Sequence, residues 1–368
     1  MKKRIILVGP YPPPYHGTSI PLMHLDQYIQ DHDLASTVII NTLTRYNVPV
    51  FHPRVIGTYL RLTLKLIKNL PKVESVLITG SQGFISSIGC FFIFIAKFIY
   101  NNKVSVYVHG GGYDQYYLSR GRFFQGILKN LLNRADNFIV QSKQLGDALS
   151  SDFSNLSILP NWTKISEIRK LAVSKDSAPK PFSPDLIRFI YCGEIREEKG
   201  ITELILAFRD IWKRIKESNR RVTLDLFGQI NPAFQEEFES LLNDVDDANV
   251  QYGGYLNHSD LMAKLTEFDG LILPTYLPTE GYPGVIIEAM SVGLPIVTTR
   301  WRAIPEIVID GRNGLLSEPK DHTSLLENII KLALDDDLRF SMGNNALTEA
   351  EKFDTETVLP VLCDLIGL

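Results

Sequence analysis

The sequence predicts an α/β protein made of two doubly wound domains in series. Three observations carry that expectation. At 368 residues the chain is longer than the size at which one hydrophobic core usually stops growing. Apolar, strand-like runs without strict alternation recur between helix-like stretches, as they do in parallel sheets covered on both faces. The texture changes over residues 163–185, a polar stretch with three prolines near its end that reads as a connection between domains.

The elements follow in order. "RIILVG" (4–9) is a strand, followed by a loop rich in proline and glycine and a helix from about Ser19. "STVIINTL" and "VESVLITG" are strands, residues 84–100 a helix, and "KVSVYVHGG" a strand ending in glycines. "ADNFIVQSKQL" and "LSILPN" complete a first domain over residues 1–165. "IRFIYCG", "VTLDLFG", "NVQYGG", "DGLILPT" and "PIVTT" are five strand candidates separated by helical stretches, giving a second domain over 183–352. Such sheets bind ligands at the carboxyl ends of their strands, so a cleft between two of them is the expected site.

Several function classes fall away. No GxGxxG follows the first strand and no GxxxxGK[ST] occurs, which argues against a dinucleotide dehydrogenase or a phosphate-loop NTPase. Cys90, Cys192 and Cys363 are far apart and lack metal-ligand spacing, so a reduced compartment and no structural zinc are expected. The acidic run "DVDD" (244–247) reads as a solvated turn rather than a metal site. The start "MKKRIILVGP" reaches glycine and proline after four apolar residues and does not read as a signal peptide. The apolar 84–100 segment contains Lys97, is slightly short for a span, and reads as a buried helix. The net charge of −4 is divided: residues 1–170 carry 19 Lys and Arg against 9 Asp and Glu, and the remainder 19 against 33.

The stretch "EGYPGVIIEAMSVGLPIV" (280–297) holds two glutamates eight positions apart. Glu280 lies in the loop after "DGLILPT" and Glu288 more than one turn into a helix that begins at Pro283 or Gly284. Proline suits a helix start, glycine permits close approach of a ligand, and the amides of Gly284, Val285 and Ile286 present partial positive charge. Both carboxylates can accept hydrogen bonds from vicinal hydroxyls of a ribose or a hexose. Spacing alone leaves open a solvated loop residue and a helix-face residue.

The pair with its surroundings, "LILPTYLPT" before and "AMSVGLPIVTT" after, resembles the EX7E signature of the retaining GT-B glycosyltransferases, in particular glycosyltransferase family 4. The likeness continues through "AIPEIVIDGRNGLLSEP" (303–319), and the two-domain layout fits the whole chain. It implies a GT-B fold whose last helix, about 353–368, crosses back onto the first, acceptor-side domain, while the second binds the donor. It places Glu280 at the C3 and C4 region of the donor sugar and Glu288 at the nucleotide ribose. In "YCGEIREEKG", Lys199 and Gly200 match the family's Lys-Gly; Glu194 stands where an arginine is usual, and Arg196 lies two residues later. Lys199 and Arg196 are the expected clamp on the leaving diphosphate. The loop "GPYPPPYHGTS" resembles the family's diphosphate-side loop, with Gly17 and Thr18 approaching the donor; nothing fixes the direction of His16. His109, in "VYVHGGGYDQYY", resembles the histidine beside the sugar's C6 hydroxyl, and equally reads as a satisfied loop histidine. Asp114 reads as an acceptor contact or a helix cap. Tyr255 and Leu256 resemble the part that lines the base, and Tyr282 and Pro283 adjoin the helix start.

The expected activity is metal-independent, retaining transfer of a sugar of hexosyl type from a nucleotide sugar, UDP- or GDP-linked, to an acceptor hydroxyl. No separate cofactor and no nucleic-acid partner are expected. The context is bacterial surface-polysaccharide (capsule or lipopolysaccharide) or lipid-linked oligosaccharide synthesis, with a saccharide or lipid-linked acceptor. A nucleotide-sugar epimerase or hydrolase, or a non-catalytic sugar-binding protein, are the rival classes. The segment 54–72 combines Arg54, Arg61, Lys65, Lys68 and Lys72 with apolar residues at helical spacing. It reads either as a helix covering the sheet or as a contact with an anionic membrane, which sets the expected location as cytoplasmic with peripheral attachment at the inner face.

Overall fold

The computed structural model describes residues 2–13, 17–43, 53–174, 185–245 and 249–368. It divides into two compact units, residues 1–162 with Thr355–Leu368, and Thr163–Asp354. Each unit is a six-stranded, wholly parallel sheet with helices on both faces, the double α/β arrangement that the apolar runs predict.

In the first unit the strands are β1 (Arg4–Gly9), β2 (Ser36–Asn41), β3 (Ser75–Ser81), β4 (Lys103–His109), β5 (Asn137–Val140) and β6 (Leu156–Ile158), in spatial order β2-β1-β3-β4-β5-β6. Alternate residues face opposite layers, as the pleat requires. Ile6, Val8, Val76, Ile78, Val104, Val106 and Phe138 pack against helices Pro53–Asn69, Gln82–Ile99 and Arg122–Arg134. Ile5, Leu7, Leu77, Tyr107 and Ile139 pack against helix Ile20–Asp31 and the C-terminal helix Thr355–Ile366, which contributes Val358, Leu359, Leu362, Cys363 and Ile366.

The Gln82–Ile99 helix mixes α and π turns and is long and apolar enough to cross a membrane. It is nevertheless built into the unit: Ile85, Phe92, Ile93 and Ala96 are fully buried. Its outer side is another matter, because Phe91, Phe94, Phe98 and Ile99 are exposed.

In the second unit the strands are β7 (Leu186–Cys192), β8 (Arg221–Phe227), β9 (Val250–Tyr252), β10 (Gly270–Leu273), β11 (Ile296–Thr299) and β12 (Gly314–Ser317), in order β12-β11-β10-β7-β8-β9. β12 is a sixth strand beyond the five expected; its four residues lie within the stretch read as a family segment. The connection expected over 163–185 is half helix: Ile165–Ser174 folds in the second unit, with Ile165 and Ile168 buried in its core. The apolar residues at 165, 168 and 172 keep helical spacing, and the prolines at 179, 181 and 184 lie beyond the helix.

Strand order reverses between β7 and β10, since β8 and β9 extend to one side and β11 and β12 to the other. A reversal of this kind opens a crevice at the carboxyl ends of the two central strands. The loops that follow β7 and β10 border that crevice.

Candidate active site

The loop after β7 begins with Gly193, whose carbonyl lies so close to Gly228 that a Cβ there would sit 1.7 Å from it. This contact holds the ends of β7 and β8 together and leaves the chain free to turn through Glu194–Lys199. Gly200 closes the turn at φ +75°, and a Cβ would meet the Pro274 carbonyl at 2.1 Å. Only glycine satisfies both demands, and the backbone after β7 is thereby pressed against the backbone after β10. The Tyr276 amide donates to the Glu198 carbonyl at 2.8 Å across the same junction.

That junction brings together two groups 81 residues apart. Lys199 Nζ donates to Glu280 Oε2 at 2.5 Å. The Thr275 hydroxyl donates to the same oxygen at 2.8 Å, and the Thr299 hydroxyl donates in turn to the Thr275 carbonyl. The Glu280 amide donates to Leu277 O at 2.9 Å, and Trp301 Nε1 to the same carbonyl at 2.9 Å. Glu280 is 8% exposed, so its carboxylate needs these partners, and a second charge nearby in low dielectric is strongly felt.

Arg196 is held differently. Its Nε and Nη2 donate to the two Glu198 oxygens at 2.9 and 3.1 Å, and Nη1 approaches Glu194 at 3.4 Å. The hydrogen bonds from Arg196 hold the Glu198 carboxyl below its usual range. Glu194 thus pairs with the arginine two residues on. A phosphate reaching Arg196 would have to displace these carboxylates, whereas Lys199 keeps two further donor hydrogens.

The second glutamate lies on helix Gly284–Ser291, which starts after Pro283 as a non-helical cap. Of the three amides expected at its open end, that of Ile286 donates back to Pro283 O at 3.1 Å, leaving those of Gly284 and Val285. A Cβ on Gly284 would lie 3.9 Å from Glu288 Oε1, so the absence of a side chain keeps the space over the carboxylate open. Glu288 Oε1 is 3.0 Å from His258 Nε2. Burial opposes the imidazolium, but the hydrogen bond and charge of Glu288, with the charge of Glu167, outweigh it and raise the His258 pKa above 6.5. His258 opens a helix, His258–Leu265, capped by Asn257. Tyr255, 60% exposed, and half-buried Leu256 precede it after β9. Tyr282 donates its hydroxyl to Glu306 at 2.7 Å and meets Phe353 edge-on.

The remaining expected residues belong to the first unit. His109 ends β4 and is buried. Gln141 Oε1 accepts from the Gly110 amide at 2.9 Å, which turns Nε2 toward the Tyr107 hydroxyl at 3.3 Å and His109 Nδ1 at 3.4 Å. With Nδ1 accepting, Nε2 carries the proton and donates to Thr79 at 2.7 Å. Burial lowers the His109 pKa to about 4, so the ring is neutral at pH 7. Both ring nitrogens thus have partners inside the unit. Gly17 and Thr18 lie in the turn before helix Ile20–Asp31, in the loop after β1, with open space around Gly17. Asn41 clamps the start of that loop, accepting from the Tyr11 amide at 3.1 Å and donating to the Tyr11 carbonyl at 2.8 Å. Asp114 lies in the first turn of helix Tyr113–Leu118. His16 lies outside the described residues, as do Asp246 and Asp247 of the acidic run and the side chain of Arg54. Among the described residues, no group of three His, Cys, Asp or Glu is placed to hold a metal ion.

Sequence reasoning did not single out His258, Thr275, Glu198 or Gln141. For His258 and Thr275 the partner is 30 and 5 residues away, but through a fold-dependent turn. For Glu198 a local signal existed, a carboxylate two residues from the arginine it binds.

Residues 173–349 match the family model described as glycosyl transferases group 1. The chain is 25% identical to an uncharacterized glycosyltransferase of Methanocaldococcus jannaschii over 289 residues, 77% of this chain and 72% of that one. It is 28% identical to the capsular polysaccharide biosynthesis glycosyltransferase CapM of Staphylococcus aureus over 169 residues, which is 46% of this chain and 42% of CapM. Its structure resembles that of Anabaena HepE in complex with UDP, with a TM-score of 0.69 at 19% identity over 98% of both chains. The paired parallel sheets and these likenesses together make the chain a glycosyltransferase of the GT-B fold, related to the group 1 glycosyl transferases.

Proposed function

We propose that this glycosyltransferase transfers a sugar with retention from a UDP- or GDP-sugar to an acceptor hydroxyl, without a metal ion. One observation carries the donor reading: the Lys199–Glu280 ion pair spans the loops at the strand-order reversal, with Glu288 eight residues further along. A diphosphate draws the Lys199 ammonium toward itself, and the amides of Gly284 and Val285 add partial positive charge. Glu280, relieved of part of its partner, accepts hydrogen bonds from sugar hydroxyls while Thr275 keeps it in place. Glu288 takes the ribose hydroxyls, Tyr255 and Leu256 border the base, and Tyr282 and Pro283 fix the entry to the helix.

In the first unit, Gly17 and Thr18 are assigned to the diphosphate side and His109 to the sugar's C6 hydroxyl. Since His109 donates to Thr79, sugar contact requires that hydroxyl to be exchanged. As the C1–oxygen bond to the diphosphate breaks, the acceptor oxygen bonds to C1 on the same face, and its proton passes to the departing phosphate oxygen. Lys199, with Arg196 when freed from its carboxylates, stabilises the charge that develops there.

The likeness to CapM supports a place in surface-polysaccharide synthesis, capsule or lipopolysaccharide among them, or lipid-linked oligosaccharide synthesis. The reading includes a cytoplasmic enzyme attached peripherally to the inner face of the membrane. A screen of UDP-, GDP- and ADP-sugars for binding and slow hydrolysis tests the donor, repeated after exhaustive chelation. Binding of one nucleotide class that survives chelation is expected. Binding of none, or complete loss restored by Mg²⁺ or Mn²⁺, overturns the proposal.

A further inference from the structure

Helices Pro53–Asn69, Gln82–Ile99 and Arg122–Arg134 share one layer. All three bury residues in the same core, against the same face of the first sheet. They lie side by side and point the same way, because each follows one parallel strand and leads to the next. Contacts at their ends show the alignment. Asn102, just after the second helix, donates to the carbonyls of Leu70 and Val73 just after the first, at 3.2 and 2.8 Å. The Arg134 guanidinium, ending the third, lies 5.0 Å over the Phe98 ring near the end of the second.

The outward side of this layer is unusual in two independent respects. It is apolar and aromatic: Leu60 and Leu64 on the first helix, Phe91 and Phe94 on the second, and Phe123 and Ile127 on the third are all exposed, Phe123 at 84%. It is also one-signed. The three helices contain Arg54, Arg61, Lys65, Lys68, Lys97, Arg122, Lys129 and Arg134, and not one Asp or Glu. Two of these cations meet carboxylates from neighbouring elements, Lys97 with Asp136 at 2.7 Å and Lys129 with Asp152 at 2.6 Å. Arg61, Lys68, Arg122 and Arg134 pair with no carboxylate among the described residues.

We infer that this three-helix layer is a docking face for an anionic phospholipid surface, with Phe91, Phe94 and Phe123 entering the interfacial region and the cations meeting phosphate headgroups. This deepens the membrane part of the proposed function and rests on it, extending the contact from the first helix to the whole layer. Charge complementarity selects the occupant. A second copy of the chain would bring the same cations against one another, while aromatic side chains flanked by Lys and Arg match the boundary between headgroups and acyl chains. The second helix does not span the bilayer in this arrangement, because its inner face is committed to the core between β3 and β4.

The test is flotation of the full chain with vesicles rich in phosphatidylglycerol and with phosphatidylcholine alone, at low and high salt. The unaltered protein is expected to bind the anionic vesicles. Phe91→Ser with Phe123→Ser should lower partitioning at least about tenfold at every salt concentration. Lys68→Glu with Arg122→Glu should lower it by about as much at low salt and little at high salt. Nucleotide binding on the same samples reports whether each variant is folded. Should either fail, Phe123→Trp in the otherwise unaltered chain gives a second reading, since brominated phosphatidylglycerol should quench the added indole fluorescence.

Partitioning unchanged by both pairs of substitutions, or absence of quenching, overturns the inference. So does a concentration-dependent dimer abolished by Phe91→Ser with Phe123→Ser in a protein that ignores vesicles, or a fraction that resists alkaline extraction as a spanning helix does. Failure of the donor screen alone, with vesicle binding intact, would count against the donor reading and leave this face standing.

Discussion

The two units share an architecture and differ in where they keep their charge. Both are six-stranded parallel sheets, each with a reversal of strand order, β1 beside β3 in one and β7 beside β10 in the other. The first unit carries 16 Lys and Arg against 10 Asp and Glu, the second 22 against 32. At the strand ends the contrast continues. The first unit's His109, Thr79, Gln141 and Tyr107 form a neutral network, whereas the second holds ionic pairs, Lys199 with Glu280 and His258 with Glu288. The backbone plan alone therefore does not say which end of which sheet handles a charged ligand. Side-chain charge, placed on loops by the same topology, does.

The comparison breaks most readily at Lys199. If the ionic end of the second unit binds the diphosphate, Lys199→Ala should lower turnover by about a hundredfold to a thousandfold. Circular dichroism should be unchanged, and Lys199→Arg should recover part of the loss. Steady-state kinetics on the best donor from the screen decides this, and an alanine variant as fast as the parent would remove the assignment.

The neutral network makes the next prediction. Because the folded His109 pKa of about 4 lies below the unfolded value, the unfolded chain takes up a proton first as pH falls. Stability from this group is therefore present above about pH 6.5 and lost down to about pH 4, by about 3 kcal/mol. His109→Gln should lack that component, visible as a shallower fall in the denaturant midpoint between pH 7 and pH 4.5. Parallel acid profiles for the two proteins would show that the ring is not held neutral.

The two glutamates should separate binding from turnover. Glu288→Ala is expected to weaken nucleotide binding and Glu280→Ala chiefly to lower the rate, each by about 1 to 3 kcal/mol, roughly tenfold to hundredfold. Titration with free nucleotide beside single-turnover rates distinguishes them. Equal losses of both kinds in both variants would mean that the pair acts as one unit.

The smallest effect belongs to His258, and its sign is opposite to that of His109. Its folded pKa is raised by Glu288, so its contribution is complete below the unfolded value near 6.5 and is lost as pH rises through the raised value. The size should be below about 1 kcal/mol, since the ring is partly exposed to solvent. His258→Asn should flatten this part of the stability profile, and Glu288→Ala should move the ring's titration, followed by NMR, downward, because burial is then opposed only by the charge of Glu167.

The strands and the two-sheet class were legible because continuous apolar runs such as "IRFIYCG" and "DGLILPT" have no other economical use than a buried parallel strand. β12 escaped since "GLLS" is four residues long and carries no period of its own. Helix Ile165–Ser174 escaped because proline at 179, 181 and 184 is a louder signal than three apolar residues at helical spacing. Within the candidate site, residue types could be read but not their partners. Lys199 and Glu280 meet only because the strand order reverses beside them, and no local pattern encodes a contact across 81 residues. The capture of Arg196 by Glu194 and Glu198 is the exception, a local arrangement written within five residues.

The return of helix Thr355–Ile366 to the first unit has a consequence for how the molecule is made. The second unit is continuous in the chain and can close as soon as it has left the ribosome. The first, although begun earlier, lacks Val358, Leu359, Leu362 and Ile366 until the intervening 163–354 stretch has been synthesised. At bacterial or eukaryotic elongation rates that delay is about 10 to 40 s. During it, one face of the first sheet, with Ile5, Leu7 and Leu77, waits half covered by helix Ile20–Asp31, a nascent surface for a chaperone to hold.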